Sequence, residues 1–284
     1  MSKIAIVTDS TAYIPADLVQ KHNLTVTPQV LIWGEETFRD GIDIQPDEFY
    51  ARLKTAKVMP TTSQVSPATM QSTFEGLVEK GYEVLGIFVS ARLSGTIQSA
   101  MQAIDMMGNA GEKVKIVDSK TTAMAMGFQA LTVARAVENG ANMEDAVALA
   151  ERAREHTGVY FAVDTLEFLH RGGRIGGAQR FLGTALNMKP VLAVVDGRVE
   201  AVERIRTKSK ALERILELVM EQTKGKTPVQ LATLHAAAEG EARTLLDKAS
   251  KQLNATESIL STVSPVVGTH AGPGTVGLAY MAGV

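Results

Sequence analysis

Short apolar runs alternate with longer runs of helical periodicity along most of the chain, the pattern of an α/β protein. Residues 3–7 (KIAIV) form an apolar strand that stops at Thr8-Asp9-Ser10, and 26–33 a second strand that stops at Gly34-Glu35. Residues 84–89 (VLGIFV) are apolar throughout, as a strand in a sheet covered on both faces requires, and 114–117 continue the series. Helices are predicted over 15–22, 46–53 and 67–80, each with proline in its first turn, and over 97–107. The hydroxyl-rich stretch Pro60-Thr61-Thr62-Ser63-Gln64 reads as a loop leading into the third of them.

Two helices then follow without a strand between them, over 122–138 and 143–156, parted by Asn139-Gly140. That break in rhythm sets the expected boundary between an N-terminal α/β domain, 1–157, and a C-terminal one, 158–284. The first is expected to hold a mainly parallel, Rossmann-like sheet. The second contains a hairpin signal, Asp196-Gly197 between 191–195 and 199–205, so its sheet should be mixed or antiparallel. A strand over 158–163, a helix over 208–222, a strand over 229–234 and a helix over 239–253 complete the pattern, with 257–263 as the last strand. Residues 268–277 read as a glycine-rich loop containing His270.

Of 284 residues, 45% are hydrophobic and 21% charged, enough to build a packed core and unlike a disordered chain. The formal net charge of −2 offers no basic field for nucleic acid or an anionic membrane. Cysteine is absent, which excludes disulfides, thiolate catalysis and zinc–thiolate sites. The first apolar run is too short for a signal-peptide core, and no stretch reaches transmembrane length. A cytoplasmic protein without stable membrane insertion is expected.

Four stretches could hold chemistry. Ser94-Gly95-Thr96 lies between a strand and a helix, where free N–H groups, the helix dipole and a hydroxyl make an anion site, although a plain N-cap needs the same residues. Thr62 and Ser63 lie ahead of the Ser66-Pro67 cap and have no structural task assigned by it. Gly272, Gly274 and Gly277 match G-x-G-x-x-G, but the helix, strand and acidic residue of a dinucleotide fold are not expected after them, and no cofactor is assigned. Arg171-Gly172-Gly173-Arg174 could clamp a phosphate or meet an acidic partner, or could equally be a helix C-terminus. A further basic run, Arg204 to Arg214, is interleaved with glutamates and reads as a solvated face. There is no Walker A sequence, G-x-S-x-G elbow or paired-histidine metal spacing.

Taken in order, Thr8-Asp9-Ser10-Thr11, Thr62-Ser63-Gln64-Val65-Ser66-Pro67, Leu93-Ser94-Gly95-Thr96, Gly172-Gly173-Arg174-Ile175 and His270-Ala271-Gly272-Pro273-Gly274 resemble the DegV family of bacterial fatty-acid-binding proteins, including the FakB-type carriers. The resemblance spans nearly the whole chain. It implies two α/β domains with a long-chain fatty acid such as palmitate between them. The hydroxyls of Thr62 and Ser94, the N–H of Gly95 and the ring of His270 would bind the carboxylate. A chain of about 16 carbons gains about 0.8 kcal/mol per buried methylene, roughly 10 kcal/mol gross, so the tail would supply most of the affinity. Methionines such as Met101, Met124 and Met126 could line an adaptable tunnel, or could be ordinary core. The resemblance also implies a partner, a fatty-acid kinase that phosphorylates the bound carboxylate, with Arg171 and Arg174 facing it. On that reading the protein is a carrier and not an enzyme. The rival readings are a serine-dependent acyl hydrolase using Ser94 and His270, with Asp9 as candidate orienting carboxylate, and a phosphate or sugar binder using the Gly-Arg loop.

Overall fold

The structure is a computed structural model that describes residues 3–183 and 188–284. Strand β1 (Lys3–Asp9) leads through a short 3-10 turn to helix α1 (Ala16–Lys21) and strand β2 (Thr25–Thr27). The single strand expected over 26–33 is two strands. Pro28-Gln29 interrupts it, so β2 lies beside β1 while β3 (Val30–Trp33) turns away and pairs with β4 (Glu36–Arg39). Proline cannot donate to a ladder, which is why the break falls there. Helix α2 (Pro46–Leu53) follows. The expected loop at Thr61 is strand β5 (Thr61–Ser63), which completes the order β4-β3-β5 and sets Thr62 opposite Leu31. Three hydroxyl residues at a sheet edge, two of them β-favouring threonines, look like a loop because one strand partner is all they have.

Helix α3 (Pro67–Glu79) starts where expected, with the Ser66 hydroxyl accepting from the Thr69 N–H at 3.1 Å. Strand β6 (Tyr82–Phe88), helix α4 (Thr96–Met106), strand β7 (Val114–Asp118) and helices α5 (Ala123–Glu138) and α6 (Met143–Glu155) come next. The four strands β2-β1-β6-β7 form one all-parallel sheet, and the apolar residues Val84, Leu85, Ile87 and Phe88 are fully buried in it.

The second half opens with β8 (Thr157–Ala162) and α7 (Glu167–Arg171). It continues through β9 (Lys189–Val195), β10 (Arg198–Ile205), α8 (Lys208–Thr223), β11 (Val229–His235), α9 (Glu239–Leu253) and β12 (Glu257–Thr262). Asp196 (φ 49°) and Gly197 (φ 77°) make the left-handed turn that the hairpin signal predicts. Two expectations for the last stretch are corrected. Residues 265–271 are helix α10 (Pro265–Ala271), capped by Ser264, so His270 sits in a helix and not in a loop. The 257–262 strand is not the last, because β13 (Val276–Ala282) follows and becomes an interior strand in the order β10-β9-β8-β13-β11-β12. This sheet is mixed: only β11 and β12 run parallel. A strand also follows Gly272 and Gly274 where a dinucleotide fold requires a helix.

Helix α5 packs against β1 and β6 on one side and β8, β11 and β13 on the other. Met124, Met126, Phe128 and Leu131 are therefore fully buried on a helix that is apolar around most of its circumference. Met124 and Met126 are core residues, and Met101 is half exposed on α4.

Candidate functional site

Strands β1, β6 and β7 point their carboxyl ends at one face of the six-stranded sheet, and β1 is where the parallel sheet reverses its direction of growth. Connections leave such a switch point in opposite directions and open a crevice. A cavity lies there, with about 890 Å³ of empty space including its mouth. Thr11 and Tyr13 after β1, Val89 and Leu93 after β6, and Thr122 and Ala123 after β7 form one wall. Val159 and Phe161 of β8, Val194 of β9 and Leu234 of β11 form the other, and among the described residues no methionine lines it. Tyr13 and Ala123 both hold left-handed backbone (φ 57°), so the chain is bent sharply where it edges the cavity.

Thr62, Ser94, Arg174 and His270 all line this cavity. Three of them, Thr62, Arg174 and His270, also line a depression at its mouth together with Arg171 and Gly172. Sequence separations of up to 208 residues are thus closed to hydrogen-bond distance: Thr62 Oγ1 and His270 Nε2 are 2.7 Å apart.

His270 lies in the last turn of α10, and the start of that helix is tied down. The Val266 N–H donates to Asp40 Oδ1 at 3.1 Å, while Ser10 Oγ donates to Asp40 Oδ2 at 2.6 Å. Burial, and secondarily the Arg174 charge, pushes the His270 pKa down to about 4. The ring is neutral at pH 7 and can donate from one nitrogen only. Its Nδ1 is buried without a partner among the described residues, and Gly172 packs so closely that a Cβ there would collide with it. Gly172→Ala is expected to shift the ring, break the contact with Thr62 and cost about 1–2 kcal/mol as overpacking. Thermal melting, with the His270 ring followed by NMR, checks this; an unmoved ring resonance would refute it.

Gly95 occupies the N-cap position of α4, and Ser94 sits just before it. Ser94 Oγ accepts from the Thr96 N–H at 3.3 Å and lies 2.8 Å from Thr96 Oγ1. Gln29 Nε2 in turn donates to Thr96 Oγ1 at 2.8 Å. The capping role and an anion role therefore use the same hydroxyl, which is held at the positive end of a helix. Thr96 belongs to the run that the sequence points to, whereas Gln29 has no local signal, since its task exists only across the fold.

The two arginines part company. Arg174 is half-buried, donating from Nε to Leu93 O at 3.0 Å and from Nη1 to Gly172 O at 2.7 Å, and burial lowers its pKa. Among the described residues no carboxylate pairs with it. Arg171 stays on the surface of α7, paired with Glu167 one turn earlier. The helix-terminus reading of this run also applies, since α7 ends at Arg171 and Gly173 takes φ 69°.

Catalytic geometry for a serine hydrolase is not assembled. Ser94 Oγ is bonded to Thr96, His270 Nε2 to Thr62, and among the described residues no carboxylate reaches His270 Nδ1. Asp9 faces elsewhere, accepting from the Thr11 N–H and hydroxyl and from the Val89 N–H, which ties the ends of β1 and β6 together. The basic run is neutralised in part: Arg214 meets Glu203, Glu217 and Glu221 at 2.9–3.1 Å. Among the described residues no helix is long and apolar enough to cross a membrane.

Comparison with known proteins covers the same span. The family described as "Uncharacterised protein, DegV family" matches residues 3–283. A DegV domain-containing protein of Streptomyces coelicolor is 37% identical over 277 residues, 97% of each chain. Among solved structures, a DegV family protein from Thermus thermophilus, described with fatty acid binding, aligns with a TM-score of 0.93 at 35% identity, covering 99% of this chain and 100% of that one. DegV of Bacillus subtilis, described as a fatty acid binding protein, aligns with a TM-score of 0.90 at 35% identity over the same shares.

Proposed function

Because the chain belongs to the DegV family, we propose that it binds one long-chain fatty acid such as palmitate and presents the carboxylate to a fatty-acid kinase for acyl-phosphate formation. The observation that supports this most directly is the joining of a mainly apolar cavity to a half-buried guanidinium that has no carboxylate partner among the described residues. An acyl chain suits the first and a carboxylate the second. In this reading Thr62 and Ser94 donate from their hydroxyls and Gly95 from its N–H, which meets no acceptor among the described residues. The neutral His270 donates its single N–H from Nε2 to Thr62 Oγ1, which leaves the Thr62 hydroxyl hydrogen for the carboxylate, and Arg174 supplies the positive charge. The tail is held by the walls contributed from both sheets, so residues 1–157 and 158–284 act as two domains with the ligand between them.

The mouth is where a second protein would reach the carboxylate. Arg171 and Arg174 both line that depression, and we assign them to contact with the kinase or the phosphoryl group it delivers. The protein is then a cytoplasmic carrier without turnover of its own.

Mass spectrometry of the denatured protein tests the first part: about one equivalent of fatty acid is expected to be released. A protein that is empty and takes up no added palmitate refutes it. The kinase step is tested on the loaded protein with ATP and a purified fatty-acid kinase, trapping acyl phosphate with hydroxylamine. No hydroxamate above the kinase-free control refutes presentation.

A further inference from the structure

Behind the apolar cavity lies a polar cleft lined by Lys120, Thr121, Arg154, Tyr160, Asp196 and Gln222. Two side chains line both spaces, Val159 and Val194. The chain divides at the same level elsewhere, with Thr122 on the cavity side and Thr121 on the cleft side. Strands β8 and β9 pair with Tyr160 opposite Ala193 and Phe161 opposite Leu192. Val159 and Val194 are the next residues along the two strands beyond the Tyr160–Ala193 pair, and Val159 lies on the sheet face that also bears Phe161. The two valines therefore form a rib one side chain thick between an oily space and a wet one.

Their place along the strand matters. After Ala162, β8 continues into α7, and Gly172 at the end of α7 lies against His270 at the polar end. Phe161 is the lining residue nearer that end, and Val159 is two residues, about 7 Å, further from it. Val159 is 3% exposed and Val194 is half-buried.

We infer that Val159 and Val194 are the end wall that sets the longest acyl chain the protein accepts. This rests on the fatty-acid reading above and names its specificity-determining residues. Within the cavity each added methylene raises affinity about fourfold. At the wall a further methylene meets packed methyl groups instead of empty space, and affinity stops rising or falls. Trimming either valine to alanine removes two methyl groups from the rib and lets the chain end run on into the cleft.

Affinities for saturated fatty acids from about 12 to about 22 carbons, measured for the wild type, Val159→Ala, Val194→Ala and Val194→Phe, test this. In the alanine variants the optimum should move about two or more carbons longer, and the affinity ratio of a 20-carbon to a 16-carbon acid should rise about tenfold or more. Val194→Phe should shorten the optimum. The Val194 variants change a half-buried position and keep the test decisive if Val159→Ala does not fold. An optimum unmoved in folded variants that bind the 16-carbon acid overturns the end wall alone. A wild type that binds no acid of any length overturns the fatty-acid reading and this inference with it.

Discussion

Replacing Arg174 with glutamine is expected to weaken fatty-acid binding about 30- to 100-fold, or about 2–3 kcal/mol. The guanidinium is half-buried, and its hydrogen-bond partners among the described residues are two backbone carbonyls, Leu93 O and Gly172 O. A buried cation without a counter-charge has lost solvation and recovered little of it, so an arriving carboxylate restores more than it would at an exposed arginine. Glutamine can still donate to one carbonyl but brings no charge. Two readouts separate this from simple loosening of the site. The affinity measured by titration calorimetry should fall for the acid and much less for the corresponding primary alcohol. The His270 pKa should also rise, because the Arg174 charge is one of the two causes that hold it down. Equal losses for acid and alcohol, or an affinity within twofold of wild type, would show that Arg174 is not the counter-ion.

The second large effect concerns pH. The folded-state pKa of His270 is about 4, against about 6.5 for an unfolded histidine. Between those values the unfolded chain takes up a proton that the folded ring refuses, so stability falls as pH drops from about 6.5 to about 4. Above about 6.5 both states are neutral and the residue contributes no slope; below about 4 both are charged and the loss is complete. The gap of about 2.5 pKa units corresponds to an upper figure of about 3 kcal/mol, reduced by the ring's partial exposure. His270→Gln should therefore lose less stability than wild type over that interval, measured by urea denaturation at stepped pH. Buried Asp9 and Asp40 titrate alike in both proteins, so the difference isolates the histidine. Saturating fatty acid should flatten the wild-type slope as well, since a carboxylate beside the ring favours its charged form. Parallel pH profiles for wild type and variant would refute the assignment.

Much of this was legible in the chain. Helix α2 begins and ends where its proline and apolar spacing predict, and α3 starts at the Ser66-Pro67 pair. The Asp196-Gly197 turn and the strand around 84–89 are likewise local signals read correctly. The misreadings share a cause. β5 and β13 are strands because of partners far away in sequence, Leu31 for Thr62 and both β8 and β11 for β13. α10 is anchored by Asp40, more than 200 residues earlier. No window of local sequence contains those partners.

Thr62, Ser94, Gly95 and His270 could be picked out because hydroxyls and glycine before helices, and a histidine among glycines, are chemically suggestive where they stand. Their convergence could not. Sequence determined which groups can donate to an anion, where most helices and the strands with strong local signals begin, and that the core is large enough for an α/β fold. The tertiary structure alone decided that Thr62 and His270 touch, that Arg174 turns inward while Arg171 stays outside, that Met124 and Met126 belong to the core, and that two valines line both the cavity and the cleft. Side-chain type and local periodicity are properties of neighbouring residues. Desolvation, charge proximity and the boundary of a cavity arise only when distant segments exclude water together.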